Sequence, residues 1–411
     1  VTGHIYLGSA NPAHHAKLLK SHAIGTVLGI IFLVSAIFIK PRTLHRTSKW
    51  FIWASIILLI LVFTPLGETV RGSRRWLNLG IFSFQPLEVA KLGLVMYLAY
   101  FFATHTPLDT SKPRKIVMLG LPILIIAGLV FFQPNLSGVL YILIITIAIA
   151  FVGGMSGRLV TNAIGFAMII GIAGLAVYRD KIPRIISMAD PLSELDGAGY
   201  QLSQSYWAIT NGKFLGRGPG ESLAMYSLPD HTNDFIFPII CEEWGLVTGL
   251  FIITLFALIT IHAIHIALNQ NNPFRFLLGF GLGTMIGLQA LINIAVTLGS
   301  FPTTGIPLPF VSSGGTSIIL TLVQIGLIFN ISLTAGHPAE EFQFEPVVKK
   351  RKAPEVVGGK IENRKRVEPI KRTPPLSARN KTIYRGPRVT LTHSQAVAQI
   401  SKSKRKKVVA R

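Results

Sequence analysis

Along the first 333 residues, apolar runs alternate with short polar gaps. The runs fall at about 23–39, 50–66, 86–103, 116–132, 139–153, 160–177, 235–265, 274–298 and 312–333. Each approaches or exceeds the length that a helix needs to cross the hydrocarbon layer of a bilayer. The pattern predicts an all-α, polytopic helical membrane protein with nine visible spans. The chain does not begin with Met, so an N-terminal piece is expected to be missing. Nine spans with the tail inside would leave residue 1 outside, so that piece is expected to hold one further span, making ten in the full-length protein. Gln85-Pro86 reads as a helix start with Pro at its first position. Gln133-Pro134-Asn135-Leu136-Ser137-Gly138 reads as a tight turn between two spans. The stretch from Gly305 to Gly315 is too rich in Pro and Gly for a helix. Residues 67–85 read as an arginine-rich loop, and 179–233 as the longest polar segment before the tail.

Composition agrees with the pattern. The 411 residues are 50% hydrophobic and only 14% charged, too little charge to cover the surface of a soluble protein of this size. The single cysteine, Cys241, excludes an internal disulfide and a cysteine metal cluster, and it reads as a small buried hydrophobe. His4, His14, His15 and His22 read as solvated histidines of an N-terminal loop rather than as metal ligands.

Charge divides the chain in two. Residues 337–411 carry 20 Lys/Arg against 6 Asp/Glu, which is 14 of the net +22. That segment is also rich in Pro and poor in large apolar residues, so a transmembrane domain over 1–336 and a disordered basic tail over 337–411 are expected. Lys349-Lys350-Arg351-Lys352 and Lys404-Arg405-Lys406-Lys407 suit an anionic lipid surface. No nucleic-acid partner is expected, because a tail tethered beside a bilayer meets lipid first. The gaps at 40–49, 104–115, 154–159 and 266–275 are mostly basic as well. They and the tail are assigned to the cytoplasmic side, with the loops at 67–85, 133–138, 179–233 and 299–311 outside.

Against that orientation the remaining charges stand out. Arg71, Arg74 and Arg75 lie in an outer loop, where arginine is disfavoured; a phosphate-bearing ligand would account for them. Glu88 and Lys91 lie inside the third span, three residues apart on one helical face, and can neutralise each other. Asp234 stands at the mouth of the seventh span, with Glu242 and Glu243 in its first turns. Carboxylates beside or inside a span are costly and read first as functional. Pro238 is expected to start the regular helix there, with its amides directed at anions. The set suits a diphosphate–lipid substrate: cations hold the diphosphate, and a carboxylate acts as general base on an attacking hydroxyl. Alternatively, Asp234 holds a Mg²⁺ or Mn²⁺ ion shared with the diphosphate. The bland readings are that Asp234 caps a helix and that Glu242 and Glu243 support packing.

Four stretches together resemble the SEDS family, whose members include FtsW, RodA and SpoVE. They are Arg75-Trp76 with Gln85-Pro86-Leu87-Glu88 and Lys91; Gly199-Tyr200-Gln201-Leu202-Ser203-Gln204-Ser205 with Gly216-Arg217-Gly218; Asp234-Phe235-Ile236-Phe237 with Glu242-Glu243; and Pro302-Thr303-Thr304-Gly305 through Ser312-Ser313-Gly314-Gly315. The resemblance covers about 20–335 and implies a ten-helix enzyme that polymerises lipid II into glycan strands. It implies Asp234 as the essential outer-loop aspartate, and Arg75, Lys91, Glu88, Gln85, Ser312 and Gly314 as residues at the substrate. A class B penicillin-binding protein, an FtsI-like transpeptidase, and other divisome membrane proteins are the implied partners. The sequence departs from the family pattern at Leu87, where Ser is usual, at Asn135-Leu136-Ser137 in place of Asp-Leu-Gly, at Ser313 in place of Tyr and at Pro238. The Pro-Thr-Thr-Gly loop and the basic tail look more like FtsW than RodA. Competing readings are a RodA-like elongation polymerase, a flippase or transporter of lipid-linked precursors, and a scaffold that only positions a transpeptidase.

Overall fold

Helices form where the apolar runs are, and their ends follow the prolines. The computed structural model of the chain describes residues 12–70, 73–78, 83–105, 113–191 and 199–333. In chain order the helices are α1 (Pro12–Ile37), α2 (Pro41–Leu61), α3 (Pro86–His105), α4 (Pro113–Phe132), α5 (Leu136–Val152), α6 (Gly157–Val177), α7 (Ile182–Ala189), α8 (Tyr200–Gly212), α9 (Ala224–Ser227), α10 (Ile236–Leu268), α11 (Pro273–Thr297) and α12 (Gly315–Leu333). Five of the nine long helices begin on a proline, whose missing N–H costs nothing in a first turn. Eight of those nine are long and apolar enough to cross a membrane. The ninth, α5, has 17 residues, about 26 Å at 1.5 Å per residue, which is the lower limit for a span.

Several boundaries move from their sequence positions. Helix α1 starts well before residue 23, so His22 belongs to a helix and is buried rather than solvated in a loop. Helix α2 starts at Pro41, so most of the basic 40–49 gap is its first two turns. Helix α10 starts at Ile236, two residues before Pro238. The polar 179–233 segment contains α7, α8 and α9. Asn135 caps α5: its Oδ1 accepts the Gly138 N–H at 3.0 Å, a task an amide oxygen performs as well as a carboxylate. His4, Arg71, the side chains of His14 and His15 and the whole basic tail lie outside the described residues.

The bundle is layered by polarity. Helices α3, α11 and α12 are buried along most of their length and form its centre. Helix α6 buries only Gly174 and presents its apolar side chains outward. Helix α1 packs along α12, α2 along α3, and α10 along α11 and α8.

The arginine-rich stretch read as a loop is a small antiparallel sheet, β1 (Gly67–Val70), β2 (Ser73–Asn78) and β3 (Ser83–Phe84), in that order. Arginine on both faces of β2 erased the apolar alternation that announces a strand. The register holds one irregularity: Glu68 faces Trp76 and Thr69 faces Arg74. Arg75 is thus the extra residue of a bulge, a device that re-aims a side chain.

Helix α10 is broken at Gly245, where φ is +80° and ψ 173°. A continuous helix would join Leu246 N–H to the Glu242 carbonyl and Val247 N–H to that of Glu243. Instead the 213–218 turn enters the break. Leu246 and Val247 donate to the carbonyls of Lys213 and Phe214 at 2.9 and 3.3 Å, while Arg217 and Gly218 donate to those of Glu242 and Glu243 at 2.9 and 3.0 Å. Both helical bonds are replaced by a reciprocal pair, so these two N–H groups and two carbonyls keep partners where water is scarce. The wedge needs Gly216, with φ +83°, because a Cβ there would lie 2.1 Å from the Glu243 carbonyl oxygen. We expect Gly216→Ala to lower stability by at least about 1–3 kcal/mol. A Gly120→Ala control, where a Cβ meets nothing within 4 Å, should be neutral or slightly stabilising. Unfolding of the purified variants in detergent checks both.

Candidate active site

The ends of β2, α3, α5, α10 and α11 and the 299–314 loop meet at one end of the bundle. The bulge sends Arg75 towards the 133–134 turn, where its Nε donates to the Gln133 carbonyl at 3.2 Å and its Nη2 to that of Pro134. Burial, and then repulsion from Arg184, push the pKa of Arg75 below the usual arginine value, though a guanidinium stays protonated at any working pH.

One turn into α3, Glu88 and Lys91 form a buried ion pair at 2.7 Å. Lys91 Nζ also donates to Gln289 Oε1 at 2.9 Å and sits 4.9 Å from the centre of the Tyr141 ring. Gln289 in turn donates to the Pro307 carbonyl at 3.1 Å, tying the ion pair to the 299–314 loop. Four residues along the same face of α11, Asn293 donates to the carbonyls of Asp234 and Ile306, both at 2.8 Å. Ser312 accepts the Leu308 N–H and donates to the Asn233 carbonyl, and Ser313 donates to Asn233 Oδ1. The backbone under Asp234 is therefore held from α11 and from the loop at once.

Asp234 itself is half-buried. Its Oδ2 lies 3.8 Å from where a Cβ on Gly305 would stand, and Gly305 lines a narrow cleft with Arg75, Gln85, Glu88, Lys91 and Thr304. The cleft runs beside a larger cavity of about 380 Å³; Arg75, Asn135, Tyr141, Thr304 and Ile306 line both. The cavity's long wall is apolar, formed by Leu140 and Ile144 of α5, Met168, Ile172 and Leu175 of α6, and Ile292 of α11. Ile144, Met168 and Ile172 are exposed, so the apolar wall on α5 and α6 is accessible rather than sealed by neighbouring helices.

The predicted residues thus divide by position. Arg75, Gln85, Glu88 and Lys91 line the cleft, and Asp234 approaches it at Gly305. Ser312 is buried and occupied with loop backbone, and Gly314 stands beside Ser317 at the start of α12. Glu242 is fully buried and accepts from Ser222 Oγ, from Leu223 N–H at 3.3 Å and from Ala224 N–H at 3.1 Å. It fastens the start of α9, while Glu243 is buried next to it at the wedge. Among the described residues no three His, Cys, Asp or Glu side chains gather as a metal cage. Gln289, Asn293, Lys181 and Arg184 escaped the sequence reading. The first two carried a signal, as polar residues four apart in an apolar run; the others carried none.

Fold and site together define a multi-pass helical membrane protein with a charged cleft at one end and a lateral apolar cavity beside it. The family model of the FtsW/RodA/SpoVE cell cycle proteins matches residues 5–337, and the chain belongs to that family. A probable peptidoglycan glycosyltransferase FtsW of Enterococcus hirae is 36% identical over 326 residues, 74% of this chain and 79% of that protein. The corresponding protein of Bacillus subtilis strain 168 is 32% identical over 337 residues, 78% and 82% of the two chains. Among solved structures, a chain of a peptidoglycan synthase complex described as coordinating polymerization and crosslinking superposes with a TM-score of 0.67 at 28% identity, covering 82% of this chain and 95% of that one. The rod shape determining protein RodA of Thermus thermophilus superposes with a TM-score of 0.61 at 25% identity, covering 82% and 93%.

Proposed function

We propose that the chain is the peptidoglycan glycosyltransferase of cell division, polymerising lipid II into septal glycan strands at the outer face of the bacterial cytoplasmic membrane, with its C-terminus inside. One observation carries the reading: a half-buried carboxylate stands beside a cleft that shares Arg75 with a larger cavity, whose cations lie at one end of a long apolar wall. A polar head must reach the acid while a long hydrocarbon tail stays in the bilayer, and that geometry admits both.

The chemistry follows. Asp234 takes the proton of the acceptor's sugar hydroxyl as its oxygen bonds to the donor's anomeric carbon. The bond from that carbon to the diphosphate breaks, and its electron pair leaves on the lipid diphosphate, where nearby cations stabilise the growing charge. Asn293 and the 312–313 serines keep the Asp234 backbone in place through the step. With Glu88 paired to Lys91, Mg²⁺ or Mn²⁺ would be held by Asp234 and chiefly by substrate phosphates, the usual arrangement for Mg²⁺. Such an ion would neutralise charge on the departing diphosphate.

An FtsI-like class B penicillin-binding protein is the proposed partner, consistent with relatives named FtsW and with a structural relative that works inside a synthase complex. The test is glycan formation from lipid II by the full-length protein with that transpeptidase, with and without EDTA. We expect polymer, and its loss on chelation if Asp234 works through an ion. No polymer from a folded complex that still moves lipid II across vesicles would replace this reading with the transporter.

A further inference from the structure

Two of the three cations at the cavity, Lys181 and Arg184, are residues the sequence did not single out. In the cleft, Lys91 and Glu88 are both buried and 2.7 Å apart, so their charges largely cancel. The cavity next to it is lined by three cations: Arg75 from the bulge of β2, Lys181 from the turn after α6, and Arg184 from α7. Lys181 pairs with Asp180, but that acid's side chain is 64% exposed, so water screens much of the pair. Among the described residues the Arg184 guanidinium has no hydrogen-bonding partner, and its repulsion is felt by Arg75. Like charges held at one cavity are relieved by an anion with several oxygens. Thr304 Oγ1, on the wall that cavity and cleft share, is buried and likewise without a protein partner.

Helix α7 carries Arg184, and Lys181 directly precedes its first residue. Ile182 and Ile186, one turn apart, are exposed, while Arg184 and Ile185 turn into the cavity. A short amphipathic helix of this kind lies in the plane of the membrane surface, with its charged groups at the polar boundary.

We infer that Lys181 and Arg184 join Arg75 in holding the diphosphate of the lipid-linked donor, and that Lys91 orders the cleft wall without binding phosphate. This rests on the glycosyl transfer proposed above and assigns its two ends. The donor's diphosphate lies in the cavity with its tail between α5 and α6, and its sugar reaches past Thr304 to the cleft, where Asp234 meets the acceptor hydroxyl. The donor fits better than the acceptor because its diphosphate gains charge as it leaves, and three cations then bind the transition state more tightly than the ground state.

The test measures binding of labelled undecaprenyl diphosphate to the full-length protein in detergent, with undecaprenol and inorganic diphosphate as separate competitors. Arg184→Ala and Lys181→Ala should each weaken binding about 10-fold, with Arg184→Lys losing less. Undecaprenol should compete weakly and alike in all variants, because it lacks the charged group. Inorganic diphosphate should compete far less well than the lipid; equal competition would mean a site for soluble phosphate and would overturn the lipid assignment. Unchanged binding in folded Arg184→Ala and Lys181→Ala proteins overturns the clasp. Should an alanine variant misfold, Arg184→Gln and Lys181→Gln keep the side-chain stem and serve instead. Binding of undecaprenyl diphosphate involves no glycosyl transfer and is measured apart from glycan formation, so failure of the clasp and failure of the proposed transfer are read separately.

Discussion

Asp234→Asn should lower glycan formation from lipid II by about 10²–10⁴-fold, the usual contribution of a positioned general base, while leaving the fold intact. Asn keeps the volume and hydrogen-bonding reach of Asp but cannot take a proton at neutral pH. Backbone contacts help place residue 234: Asn293 donates to its carbonyl, and Ser312 and Ser313 hold the preceding Asn233. None of these depends on the carboxylate. The unfolding midpoint of the variant in detergent should therefore match wild type, and the loss should appear in the rate of polymerisation measured on gels of labelled lipid II. Wild-type yield from the folded variant would remove Asp234 from the chemistry. Asp234→Glu moves the carboxylate outward by one methylene and should recover only part of the rate, because proton transfer needs hydrogen-bond reach.

Lys91→Met should be the most destabilising single change at the site, at about 3–5 kcal/mol, because it leaves Glu88 charged and uncompensated in the bundle. The cost arises from the orphaned partner more than from the lost attraction. The double variant Glu88→Gln with Lys91→Met should therefore regain much of the stability. It should not regain activity, since the contact from Lys91 to Gln289 and on to the Pro307 carbonyl would still be cut and the 299–314 loop left without that tie. Denaturant titration of the three proteins, with glycan yield measured in parallel, tests both statements. If the double variant were no more stable than the single one, the pair's charge would not be what matters.

The helical plan was legible in the sequence because the bilayer constrains it so tightly. A span must satisfy its own backbone and present apolar side chains to lipid, so α2 to α6 and α10 to α12 announce themselves as apolar runs. The acids and bases of the site were legible for the complementary reason. Asp234, Glu88 and Lys91 are costly where they stand, and such a cost marks a position without any knowledge of its neighbours. Family motifs then supplied expected roles for those residues, which their spacing alone left open.

Contacts across long sequence separations were another matter. The six residues of β2 carry arginine on both faces, and nothing in them shows that Arg75 is the bulge residue whose side chain reaches a turn 58 positions away. The Lys91–Gln289 bond spans 198 positions, and the clamp from Asn293 to the Asp234 backbone spans 59. The wedge that opens α10 at Gly245 reads in the sequence as two glycines and a basic turn. Lys181 and Arg184 read as ordinary members of a polar connection until the fold sets them against Arg75. By itself, the sequence determined which segments cross the membrane and which charges are out of place, because each follows from one segment's transfer between water and lipid. Only the tertiary structure decided which charges cancel, which gather at the cavity and what holds the acid in position, because those depend on distances between segments that no local pattern records.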